Sequence, residues 1–181
     1  WANLLLAAML GLPLAFEPPE PGVMARKPRP AGAPLLPGAL VWRICLISIL
    51  LAGTLLGVFF YAIDRGEDLA TARTMVVGAV MISGIVHLFN VRFTHMTSLT
   101  WRGALGTPPV LAAVAAVVAA QLMFTYAPFM NALFDSRPLA LHDWLVLVGL
   151  GVGIFIVMEG EKLLTRQIAL RRRPPRQRID R

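Results

Sequence analysis

Five apolar stretches separated by polar connections mark out the chain. The first runs from Leu4 to Phe16, interrupted by Gly11 and Pro13 and led by Trp1-Ala2-Asn3. It gives way to Glu17-Pro18-Pro19-Glu20-Pro21 and then to the basic run Arg26-Lys27-Pro28-Arg29. Leu40 to Ile63 is an unbroken apolar run of 24 residues with Trp42 and Arg43 at one end and Tyr61 at the other. Aromatic borders and an Arg that can snorkel suit a helix anchored at both membrane interfaces. Beyond the polar loop 64–68, Thr74 to Asn90 predicts the next helix, and Val91 to Thr107 is a polar connection. Pro108 to Tyr126 is a third full span, rich in Ala and Val, with a Pro suited to its first turn. Ala127 to Asp143 reads as a loop, and Trp144 to Leu164 as the last helix. The expected fold is therefore all-α: a polytopic membrane bundle of about five transmembrane helices, over 1–16, 40–63, 74–90, 108–126 and 144–164. Residues 1–165 form one membrane domain, and 166–181, carrying Arg171-Arg172-Arg173-Pro174-Pro175-Arg176, form a basic disordered tail.

Composition agrees with this pattern. Of 181 residues, 57% are hydrophobic and 15% charged, where a soluble domain carries about a quarter charged. The net charge of +7 could suggest nucleic acid, but the basic residues flank apolar spans. Juxtamembrane placement accounts for them, and no nucleic-acid partner is expected. In the alternating topology 14 Lys and Arg fall on the side of the Pro-rich loop and the tail, and 3 on the other. That asymmetry puts the C-terminus in the cytoplasm of a multi-pass protein of the inner (plasma) membrane. Cys45, alone and inside a span, excludes a disulfide frame and a Cys-based metal site. The 16 residues from Trp1 to Phe16 would make about 24 Å of helix, short of the roughly 20 residues a crossing needs. No basic stretch precedes them as in a signal peptide, so a fragment cut upstream of or within its first helix is expected.

Trp1-Ala2-Asn3, Phe16-Glu17-Pro18-Pro19-Glu20 and Met24-Ala25-Arg26-Lys27-Pro28-Arg29 form W-x-N, F-x-P-P-[DE] and M-x-R-x-P-R elements. They resemble those around the sixth helix of the C-terminal membrane region of bacterial type-II P-type cation-transporting ATPases, the family of the calcium pumps. Arg73-Thr74-Met75, Leu88-Phe89-Asn90-Val91-Arg92, the run Gln121 to Met130, and Glu159-Gly160-Glu161-Lys162 resemble signatures of its eighth to tenth helices. The resemblance implies helices six to ten of a pump. It implies ATP and Mg²⁺ acting in the parent's other domains, and membrane lipid, the remainder of the pump and the transported cation as partners. It also implies a coupling role for the Pro-rich loop through Pro18, Pro19, Glu20, Arg26 and Arg29. Asn3 matches a family position that supplies a side-chain oxygen to the ion, as ligand or as an orienting neighbour. The next family ligand positions fall on Leu6, Ala7 and Gly84, which carry no side-chain oxygen. A hard divalent cation needs several oxygens.

His87 is the ionisable side chain set well inside an apolar span, and such a group reads as a proton relay or ligand. Its place one turn from Asn90, near the span border, also fits a structural hydrogen-bonding role. His95 and His142 read as loop residues, and three His so separated do not have the spacing of a His-based metal site. Glu159 and Glu161, two apart on a helix, face different directions and read as a solvated helix end. Gly53 and Gly57, spaced by four, are the better close-packing candidate, ahead of Gly149, Gly151 and Gly153. No Asp-Lys-Thr-Gly phosphorylation motif and no phosphate-binding Gly-rich loop occur, so this chain alone has no means of hydrolysing ATP. Two functions follow: a piece of an ATP-driven cation pump forming and supporting the ion pathway, or a self-contained or degenerate multi-spanning scaffold without transport.

Overall fold

The computed structural model describes residues 1–11, 15–16, 32, 36–92 and 108–171. The described residues are helical, without strands. Helix α1 (Ala2–Leu5) runs directly into a π-helical segment, Leu6–Gly11. It is followed by α2 (Gly38–Asp64), α3 (Leu69–Arg92), α4 (Pro108–Tyr126), α5 (Pro128–Phe134) and α6 (Leu141–Arg171). Four of these, α2, α3, α4 and α6, are long and apolar enough to cross a membrane. The first segment is too short within the described residues to make a fifth.

Element ends follow local chemistry. At the end of α2, Gly66 takes φ +80° while its N–H donates to Ile63 O at 2.9 Å and Glu67 N–H to Ala62 O at 3.1 Å. This is the Schellman pattern, which needs a residue without a Cβ at the left-handed position. Helix α3 begins at Leu69, five residues before the expected start, because Asp68 Oδ1 accepts the Thr71 N–H at 2.8 Å and caps the added turn. Inside the expected loop 127–143, the Pro128 ring at the first helical position starts α5, and Asp135, at φ 52°, ends it. Helix α6 begins three residues before Trp144, where Asp143 Oδ2 accepts the Ala140 N–H at 3.0 Å. At its far end α6 continues to Arg171. The boundary placed at 166 is thereby moved outward, since Gln167 to Leu170 are residues a helix accommodates easily.

Helix α3 is the centre of the bundle: 44% of its apolar stretch is buried against 6% for α2. One side of α3, through Ala72, Met75 and Ala79, packs on Val58 and Ala62 of α2 and on Leu139 and Leu147. Its other side, through Met81 and Leu88, packs on Leu5 of α1 and on Val110 and Val117 of α4. Small residues at the crossings let backbones approach where lipid offers no hydrophobic drive to helix association. The close-packing glycines are Gly78 and Gly151 rather than the expected pair. A Cβ on Gly151 would lie 2.5 Å from Ile82 Cγ2, and one on Gly78 would lie 2.9 Å from Leu147 Cδ1. Gly53 and Gly57 have nothing within 4 Å of a built Cβ. They line an apolar groove of 590 Å³ between α2 and α6.

Hydrogen bonds from Thr71, first by its side chain and then by its backbone, hold the Asp68 carboxyl below the usual carboxylate range, with Arg137 adding to the effect. A depressed folded pKa contributes stability that is full above the unfolded value, about 3.9, and is lost as pH falls through the folded one. We therefore expect the thermal midpoint of the chain in micelles to fall as pH drops from about 5 to about 3. Asp68→Asn keeps the capping oxygen but cannot titrate, so it should flatten that part of the curve. An unaltered slope in the variant would remove Asp68 from the account.

Candidate functional site

Two groups of residues are candidates for a functional site, one in the middle of the bundle and one at the end where α2 starts and α3 stops. The first is built on the π-helical segment. A π turn widens the helix and shifts its hydrogen bonds to i→i+5, a distortion that recurs at functional positions. Leu5 holds this segment to the core, buried against α3 and α4. Asn3 and Ala7 are exposed, and Asn3 stands apart from the residues that line the cavity beside this segment. Leu6 and Gly11 line a cavity of 320 Å³ with Leu51 and Leu55 of α2 and with Ser83, Gly84 and His87 of α3. Two positions that the family resemblance made ligand sites, Leu6 and Gly84, thus meet at one cavity, and both are apolar. Ser83, next to Gly84 in the chain, lines the same space. His87 is half-buried, and its Nδ1 has no hydrogen-bond partner. The structural hydrogen-bonding role read for it is not made at that nitrogen.

The second group joins three helices. Asn90, fully buried, accepts a 2.6 Å hydrogen bond at Oδ1 from Arg43 Nη2 of α2. Through Nδ2 it donates to Glu159 Oε1 of α6 at 2.9 Å. Lys162 Nζ, one turn on from Glu159, donates to the same Oε1 at 2.9 Å and to the Asn90 backbone carbonyl at 2.7 Å. Glu159 and Lys162 are each 5% exposed. The solvated helix end expected at Glu159 is corrected accordingly: its carboxylate is an interior group, made tolerable by an ion pair and an amide. Lys162 also caps the C-terminal end of α3, where the helix dipole favours a cation. The sequence carried a signal for this group, Glu and Lys at spacing three on a helix facing Asn90, but comparing Glu159 with Glu161 pointed away from it.

The opposite end is held by polar and aromatic contacts. Tyr61 Oη and His142 Nε2 are 3.0 Å apart, and Arg65 donates to Tyr61 Oη at 3.0 Å. Arg65 also lies 3.5 Å from Asp143; its pKa is raised chiefly by the hydrogen bond to Tyr61. His142, expected to be an uninvolved loop residue, thus ties α6 to α2. Trp144 Nε1 donates to Tyr126 Oη, which donates to Leu139 O at 2.8 Å. Trp1 stacks on Phe124 with ring centroids 6.1 Å apart and tilts against Phe134 at 5.9 Å.

Among the described residues no cluster of three or more His, Cys, Asp or Glu is placed to hold a metal ion. Pro18, Pro19, Glu20, Arg26 and Arg29 lie outside the described residues, as does His95.

The sequence profile of the family described as "Cation transporting ATPase, C-terminus" matches residues 1–164. The chain is 36% identical over 176 residues to "Probable cation-transporting ATPase F" of Mycobacterium tuberculosis, covering 97% of this chain and 19% of that protein. It is 30% identical to "Cation-transporting ATPase pma1" of Synechocystis, covering 81% of this chain and 17% of that one. To the "Calcium-transporting ATPase" of Bacillus subtilis it is 25% identical, covering 92% and 18%. The chain therefore spans about a fifth of the length of the curated relatives it matches.

Proposed function

Since the chain belongs to the P-type cation-transporting ATPases, as their C-terminal membrane domain, we propose that it forms and supports the ion pathway of an ATP-driven cation pump. ATP and Mg²⁺ act in the parent's other domains, and the free energy of phosphoryl transfer reaches the membrane helices as movement. The Pro-rich segment with Pro18, Pro19, Glu20, Arg26 and Arg29 meets those domains on the cytoplasmic side, where the Lys and Arg excess also puts the C-terminus. Lipid, the rest of the pump and the transported cation are its partners in the cell's inner membrane.

The observation that carries this reading is the meeting of the π-helical segment and Gly84 at one cavity, one turn along the same segment from the exposed, oxygen-bearing Asn3. An unwound or widened helix in a membrane is tolerated where it lines a cavity, and its carbonyls can then serve an ion. Leu6, Ala7 and Gly84 leave Asn3 as the side-chain donor among these four positions. The remaining oxygens come from backbone and from helices of the parent. The same apolar lining favours a second reading, a scaffold that no longer transports.

Reconstituted full-length parent, assayed for ATPase stimulation by Ca²⁺, Mg²⁺, Mn²⁺, Na⁺ and K⁺, separates the two. One cation should stimulate, and Asn3→Ala should shift its dependence to higher concentration by about tenfold, the scale of one hydrogen-bonding oxygen to a charge. Stimulation by none of the five would support the scaffold. An unshifted curve in the variant would dismiss Asn3.

A further inference from the structure

Helices α2 and α3 form a hairpin, joined at one end by the loop 65–68 and open at the other. Near the loop the arms pack directly, Val58 and Ala62 against Ala72, Met75 and Ala79. Farther out, Leu51 and Leu55 on one arm and Val80, Ser83, Gly84 and His87 on the other line the 320 Å³ cavity. At the open end the arms are connected again, by the 2.6 Å hydrogen bond from Arg43 to Asn90. Chemistry fixes the direction of that bond. The Glu159 carboxylate only accepts, so Asn90 turns Nδ2 toward it and leaves Oδ1 for the Arg43 guanidinium, which only donates. Lys162, on the Asn90 carbonyl, holds the same residue through its backbone.

We infer that Arg43 and Asn90 are positioning residues for the transported cation: their bond latches the open end of the hairpin and so sets the width of the cavity between its arms. This rests on the reading of that cavity as part of the ion pathway. Neither side chain is among those lining the cavity, and the pair acts through the helices that carry it. Val91, the residue after Asn90, is itself part of the lining, so what moves Asn90 moves the wall. Arg43 lies 21 residues from Asp64. That is about 32 Å of helix, so a tilt of about 5° at the loop would carry Arg43 about 3 Å away and break the bond. Within this chain little else resists such a tilt, since 6% of the apolar stretch of α2 is buried. Asn90, by contrast, is gripped from α6 by Glu159 and Lys162 whatever α2 does. The variable step is the one from α2, and Arg43 makes it.

Reconstituted full-length parent tests this by its ATPase activity against the concentration of the stimulating cation, with turnover expressed per phosphorylated molecule. Arg43→Met removes the donor and keeps an apolar stem. It should raise the half-maximal cation concentration about fivefold, within the range of coupling carried by residues that contact neither ligand. Turnover per phosphorylated molecule should stay unchanged. Arg43→Lys, still a donor to Oδ1, should stay within about twofold of the unaltered pump. Asn90→Ala should shift the curve in the same direction as Arg43→Met, and the double variant no further than the larger single shift, because both remove one bond. The Arg43 variants decide the matter even where Asn90→Ala does not fold. A half-maximal concentration unmoved in Arg43→Met overturns the positioning role. That includes a variant that merely yields fewer phosphorylated molecules, as loss of a purely structural contact would. Shifts that multiply in the double variant overturn it as well. An unaltered parent that no cation stimulates fails differently: it removes the ion-pathway reading, and the latch falls with it.

Discussion

Glu159→Ala is expected to destabilise the bundle by about 3–5 kcal/mol, the cost of removing one partner from a buried ion pair. The variant leaves the Lys162 ammonium, 5% exposed, beside the Asn90 carbonyl but without Glu159's carboxylate. It also takes from Asn90 Nδ2 the acceptor at 2.9 Å, so two donors are affected by one truncation. An intramembrane hydrogen bond alone averages nearer 0.6 kcal/mol. The size of the effect therefore distinguishes an interior charge pair from a simple polar contact. Unfolding in mixed micelles titrated with dodecyl sulfate would measure it. The double variant Glu159→Leu with Lys162→Met should recover most of the loss, because it removes both charges at once. A single variant costing less than about 1 kcal/mol would mean that water reaches the cluster.

Gly151→Ala should cost about 1–3 kcal/mol, as overpacking of a fixed contact does. The added methyl would meet Ile82 Cγ2 at 2.5 Å and Val86 Cγ2 at 3.6 Å. Ile82 Cγ2 sits on a β-branched carbon whose χ1 is nearly fixed in a helix, so it has little room to swing aside. Either α3 and α6 separate or one of them shifts along its axis. Gly149→Ala and Gly153→Ala are internal controls, since nothing lies within 4 Å of a Cβ at either position. They should be neutral or slightly stabilising through helix propensity. Ile82→Ala combined with Gly151→Ala should restore much of the loss, and a double variant no better than the single would place the strain elsewhere.

The hydrophobic pattern made the long helices legible, because a span of apolar residues bounded by Trp, Tyr and Arg has few alternatives in lipid. Ends were less so. The early start of α3 depends on Asp68 closing a hydrogen bond onto Thr71, and the early start of α6 on Asp143 reaching back to Ala140. Both are single contacts that periodicity does not register. Spacing also misled on the glycines: Gly53 and Gly57 have the expected interval but no helix against them, whereas Gly78 and Gly151 are isolated and face a neighbour. The Arg43–Asn90–Glu159–Lys162 cluster draws on three helices, and only the Glu159–Lys162 step lies within local sequence. For the candidate ion positions, the resemblance identified Leu6 and Gly84 as corresponding places. That they share a cavity with Ser83 and His87 is a matter of how α1, α2 and α3 pack.

Trp1, packed against Phe124 and Phe134, which also touch each other, anchors the first helix at one extremity, while its widened π turn lies toward the other. With that end held by three rings and the other widened, we expect any motion of the segment to be a tilt about the aromatic cluster instead of a bodily slide. The lever would then have its greatest travel beside the cavity and almost none at the tryptophan.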